Sequence, residues 1–109
     1  MQTTSIPEPA SGCEMSTISN PLSRHLLLTG PTEESLYRTH LALWRSPDQG
    51  ASWQKALLID PGPSGYSSMS WLPQSQSVAL LYERSVTKQI IFVPDHISFA
   101  ILPQQYTNV

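Results

Sequence analysis

Three stretches of this sequence offer side chains that could meet in one site. Tyr37-Arg38-Thr39-His40-Leu41 supplies a guanidinium, Pro61-Gly62-Pro63-Ser64-Gly65-Tyr66-Ser67-Ser68 a phenol, and Leu80-Leu81-Tyr82-Glu83 a carboxylate. A guanidinium matches a carboxylate through paired hydrogen bonds. Each residue also has an ordinary reading: Arg38 as a surface strand residue, Tyr66 as an amphipathic core residue opening a strand, and Glu83 as a solvated strand end. Between Arg38 and Tyr66 lies Ser46-Pro47-Asp48-Gln49-Gly50-Ala51-Ser52-Trp53, whose chemistry is structural. Asp48 can accept hydrogen bonds from the backbone it heads. Gly50 can take the positive φ of a tight turn, and Trp53 can bury a large ring between sheets. Other reactive types are scattered. His25, His40 and His96 have no second ligand at metal spacing, so no metal and no cofactor are expected. The lone Cys13 has no partner for an internal disulfide and reads as a buried, unreactive thiol.

The octet Ser46–Trp53 fits S-x-D-x-G-x-x-W, the aspartate box of β-propeller sialidases, with Ser46, Asp48, Gly50 and Trp53 at its defining positions. The four stretches follow one another in that family's order. Over about residues 10–102 the chain thus resembles the C-terminal part of a sialidase (neuraminidase). The Pro61–Ser68 stretch is most like that of the lysosomal sialidases of animals. Tyr106-Thr107-Asn108-Val109 also fits the Tyr-x-x-apolar tetrapeptide that ends them.

The resemblance implies roles. Arg38 stands where the family places the third of the arginines that grip the sialic acid carboxylate. Tyr66 occupies the nucleophile position, because a tyrosine replaces the usual carboxylate where the substrate is itself anionic. Glu83 matches the glutamate that orients the first of those arginines. Asp48 belongs to an outer turn, far from the chemistry, and Tyr37, Tyr82 and Arg45 stay structural. The family's catalytic aspartate, its Arg-Ile-Pro segment, the glutamate that activates the tyrosine and the second arginine have no matching motif here; Glu14, the early glutamate, departs from the base motif.

The elements that must position these residues read as β-structure. Of 109 residues, ten are proline and 13% are charged, which suits short strands joined by turns. A formal net charge of −2 gives no attraction for nucleic acid or anionic membrane. No apolar run is long enough to span a bilayer, and the first residues lack the pattern of a signal peptide.

The expected organisation is an N-terminal loop or flexible arm over 1–12, a partial propeller over 13–103, and a tail over 104–109. Blade one, about 13–59, takes strands at Cys13–Ser19, His25–Thr29, Leu36–Arg45 and Gln54–Ile59. Asp60–Gly65 is expected as a rigid loop to blade two, about 66–102. That blade takes strands at Tyr66–Trp71, Ser77–Glu83 and Lys88–Val93, with Ile97–Leu102 either a fourth strand or a short closing helix. The fold class is all-β, the last two blades of a six-bladed propeller with its ring open.

These readings make the chain a C-terminal part of an exo-α-sialidase, a retaining glycoside hydrolase that releases terminal sialic acids from glycoproteins, oligosaccharides and gangliosides. The alternative is an inactive sialidase fragment with at most a binding role. Family resemblance alone implies sialylated glycoconjugates as ligands, a lysosomal carboxypeptidase as partner and a lysosomal or endomembrane location. Self-association is expected where blade faces stay uncovered.

Overall fold

The computed structural model describes residues 2–10, 12–34, 37–85, 94 and 96–108. Within them the chain forms one curled antiparallel sheet. In spatial order it runs β2 (Ser16–Ser19), β3 (Leu26–Pro31), β4 (Thr39–Ser46), β5 (Trp53–Leu72), β6 (Ser77–Arg84) and β7 (His96–Leu102), and β1 (Gln2–Thr3) pairs with β5. A single-turn helix, α1 (Gln104–Thr107), follows β7. Ile97–Leu102 is therefore strand, with the helix just after it. The strand expected at Lys88–Val93 lies outside the described residues.

One strand joins the two halves of the sheet. The first part of β5 pairs with β4, as far as Pro63 against Thr39. From Ser64 onward it pairs with β6. The loop expected over Asp60–Gly65 is thus extended strand. The fixed φ of Pro61 and Pro63 is already near that of extended backbone. Ladder contacts here use carbonyls that proline keeps: Pro63 accepts the Ser85 N–H at 3.2 Å. The chain changes neighbours without ceasing to be a strand.

The core joins the two halves of the sheet. Leu27, Leu41 and Leu43 from the first half meet Met69, Val78, Leu80 and Leu102 from the second. Leu41 and Leu43 share a face of β4, as the period of two requires. The opposite face carries Ala42 and Trp44, and these are buried too. The segment before β2 is packed down: Pro9 belongs to the expected arm, and Met15 to the strand expected over Cys13–Ser19, of which only Ser16–Ser19 is strand. Pro9 is fully buried, and a Cβ on Gly30 of β3 would collide with the Met15 side chain. Glycine is needed there for close approach, not for turn geometry.

The tail is docked. Asn20 accepts the Leu22 N–H at 2.8 Å, forming an Asx turn at the end of β2, and its amide donates to Thr107 O and to Asn108 Oδ1. Thr107 is fully buried and Tyr106 packs on the core. Tyr106–Asn108 is therefore part of the fold, whereas a linear sorting signal must be accessible. No helix among the described residues is long and apolar enough to cross a membrane.

Candidate functional site

The site forms where the strands change partners. Arg38 lies just before β4, and its carbonyl accepts the Ser64 N–H at 2.9 Å. That bond ties it to β5 two residues before Tyr66. The ladder between β5 and β6 shifts register between Ser64 and Ser67, so Gly65 and Tyr66 fall within an irregularity of the kind that re-aims side chains. Tyr66 is 44% exposed, although it sits mid-strand.

Arg38, Tyr66 and Glu83 come together. The Arg38 guanidinium carbon stands 5.6 Å from the Tyr66 ring centroid, within cation–π range. Arg38 Nε donates to the Gly12 carbonyl at 2.8 Å, which fixes one edge of the guanidinium and turns the two terminal amino groups into the edge a carboxylate could meet. Among the described residues Arg38 is in no ion pair. The Tyr66 backbone N–H donates to Glu83 Oε1 at 3.0 Å. Glu83 thus holds the tyrosine's backbone, a contact its expected arginine-orienting role did not include. Beside these residues an open groove of about 240 Å³ is lined by Tyr66, Ser68, Leu81, Glu83 and Ile97, and its walls are mostly apolar.

Cys13 borders the same site. Burial pushes its thiol up from 9.0 to about 11; Arg38 draws it down, and Glu83 and Glu14 add to the rise. The thiol, expected as buried, is half-buried, and its closeness to Arg38 was not readable from spacing. Ser67, on the next strand position, hydrogen-bonds Thr29 of β3: the two hydroxyls are 3.0 Å apart, and Ser67 also donates to the Thr29 carbonyl at 3.1 Å.

A second constellation was missed. Asp60 is buried and its carboxylate collects three donors: Gly62 N–H at 2.9 Å, Tyr82 O–H at 2.9 Å and Arg84 Nε at 2.9 Å. Burial, then the Asp60 hydrogen bond, raises the Tyr82 hydroxyl above its ordinary value. Asp60 thereby locks β5 to β6 at the point where Glu83 must reach Tyr66. An Asp-Pro-Gly sequence signals an Asx turn, and that was the one clue available.

The octet turn stands apart from this group, at the β4–β5 connection. Asp48 Oδ1 accepts the Ser46 hydroxyl and the Ser52 N–H, each at 2.8 Å, and Oδ2 accepts the Ser52 hydroxyl at 2.6 Å. The Gly50 N–H donates to Ser46 Oγ at 2.8 Å, with Gly50 at φ 92 as the turn requires. The Ser52 contacts, then Ser46, hold the Asp48 carboxyl below its usual range. Trp53 begins β5 half-buried. Of the histidines, His40 pairs with Glu33 at 2.9 Å and sits at φ 61 within a register shift of β4. Arg45 donates to the Tyr106 carbonyl at 3.2 Å. No group of three His, Cys, Asp or Glu side chains among the described residues could hold a metal ion.

No protein-family profile matches this chain, and no curated protein matches it significantly.

Proposed function

We propose that the chain is a C-terminal part of an exo-α-sialidase, in which Arg38 grips the substrate carboxylate, Tyr66 is the nucleophile and Glu83 holds Tyr66 in place. One observation carries this reading: a half-buried arginine with no ion-pair partner among the described residues stands against an exposed tyrosine whose backbone is pinned by a glutamate. An uncompensated guanidinium is suited to a ligand carboxylate. The Arg38 guanidinium over the Tyr66 ring would bring a bound carboxylate beside the tyrosine.

The sheet supports the partial-propeller part of the reading. Leu81, Ile97, Phe99 and Ile101 are exposed on one face of β6–β7, an apolar surface of the kind a further sheet covers. The octet turn at the β4–β5 connection makes the hydrogen bonds expected of a propeller's outer turn.

A second reading is favoured by one specific observation, the apolar lining of the groove beside Tyr66. Such a lining suits packing against another sheet better than a polyhydroxylated sugar. In that reading the chain is a catalytically silent sialidase fragment with a binding role. Both readings expect no turnover of a fluorogenic sialoside by this chain alone, since no motif supplies the acid or the base.

Saturation-transfer measurements on a sialoside, with lactose as the neutral control, separate the two. The first reading expects transfer to the sialic acid protons that Arg38→Leu abolishes and Tyr66→Phe preserves. Transfer that is equal for lactose and the sialoside, or absent for both, contradicts it.

A further inference from the structure

A second cavity, of about 470 Å³, lies away from Arg38 and Tyr66 and is lined by Thr3, Pro7, Trp44 and Lys55. Its volume falls in the ordinary range for small-molecule sites. Trp44 on β4 and Lys55 on β5 are register partners, so both side chains project from the same face of the sheet. Gln2 and Thr3 pair along β5, which brings Pro7 over that face and leaves the cavity beneath it.

The polar and apolar groups are arranged as a ligand site requires. The Trp44 indole N–H donates to Thr32 Oγ1 at 2.8 Å in a buried contact, so the ring is locked and its N–H already used. What Trp44 and Pro7 offer the cavity is flat apolar surface. The Thr3 hydroxyl donates to the Ser5 carbonyl at 2.7 Å, which spends its proton locally. Lys55 Nζ stands 5.9 Å from the Trp44 ring centroid, and among the described residues it is in no ion pair. The cavity therefore has apolar walls and one cationic donor above an aromatic ring.

We propose that this cavity binds a small amphiphilic carboxylate, an aryl or short-chain acid, with its apolar body between Pro7 and Trp44 and its carboxylate on the Lys55 ammonium. A neutral hydrophobe would leave the ammonium without an anionic partner, and a polyanion would place charge against Trp44 and Pro7. One anionic head on an apolar body satisfies both. The site stands independently of any reading of Arg38 and Tyr66.

The test is a titration of the chain with naphthoate and, separately, with naphthylmethanol, following the Trp44 indole N–H resonance. Naphthoate should shift that resonance saturably. Lys55→Gln, at an exposed position and so compatible with folding, should weaken naphthoate about tenfold, the scale of one charge-assisted hydrogen bond. The same variant should leave naphthylmethanol unchanged, and Arg38→Leu should leave naphthoate unchanged. The proposal is overturned if naphthoate does not move the resonance, if Lys55→Gln weakens both ligands equally or neither, or if Arg38→Leu removes naphthoate binding.

Discussion

Glu83 Oε1 takes the backbone N–H of Tyr66 at 3.0 Å, across 17 residues of chain. The register shift between Ser64 and Ser67 displaces Tyr66 from regular pairing, and the carboxylate supplies the acceptor. Glu83→Ala should free that N–H and speed its hydrogen exchange relative to its neighbours. The cost to stability should be about 1 kcal/mol, the net worth of one hydrogen bond. Glu83→Gln keeps an oxygen acceptor and should retain most of the protection. Exchange at Tyr66 that is unchanged in Glu83→Ala would show that the contact does not order the site.

The Cys13 thiol reports on Arg38. With its pKa raised to about 11, it should alkylate slowly near pH 8, since the thiolate is the reactive form. Arg38 draws that value down, so Arg38→Leu should slow alkylation further. The sign for stability follows from the same rise. The folded chain resists ionising Cys13, so its contribution is fully present below the ordinary 9.0 and is lost as pH climbs towards about 11. Faster alkylation in Arg38→Leu would contradict the placement of the two residues.

Asp48 and Tyr66 should separate under mutation. Asp48→Ala removes the acceptor of the Ser46 and Ser52 hydroxyls and the Ser52 N–H, so its melting temperature should fall. Tyr66→Phe removes only an exposed hydroxyl and should melt like the unmodified chain. The Asp48 carboxyl is held below its ordinary 3.8. Its stabilisation is therefore present above that value and lost as pH falls through the lower folded-state one. The melting gap between Asp48→Ala and the unmodified chain should close on acidification; a gap that widens would reverse the assignment.

Much of this architecture was legible in the sequence, for local reasons. The alternation of β4 separates Leu41 and Leu43 from Ala42 and Trp44, and Ser46, Asp48 and Gly50 carry their own turn chemistry. The convergence of Arg38, Tyr66 and Glu83 was expected from the family resemblance, not from spacing. The extended run through Asp60–Gly65 was not legible, because proline and glycine signal a turn unless strands on both sides hold the chain extended. The burial of Pro9 was hidden because the aperiodic arm over 1–12 shows no face of its own, and Met15, expected inside a strand at Cys13–Ser19, precedes the strand and folds over Gly30 instead. The Asp60 clamp depends on Tyr82 and Arg84, 22 and 24 residues away, and only the sheet register brings them together.

That clamp has a measurable worth. Asp60→Ala leaves the Tyr82 hydroxyl, the Gly62 N–H and Arg84 without their shared acceptor. Loss of these three contacts, with Arg84 exposed and Tyr82 and Gly62 half-buried, should cost about 1–2 kcal/mol, read as a lower denaturant midpoint. Asp60→Asn keeps one acceptor oxygen and should lose less. An unshifted midpoint in Asp60→Ala would remove Asp60 from the account of how β5 and β6 are joined.

The most direct test of the proposed site is the side-chain Nε–Hε resonance of Arg38, followed during titration with a methyl α-sialoside and with the methyl ester of the same sugar. The account predicts a saturable shift with the free carboxylate, a much smaller one with the ester, and the same response in Tyr66→Phe. No shift with the carboxylate, or equal shifts with the carboxylate and its ester, would contradict Arg38 as the residue that grips the substrate.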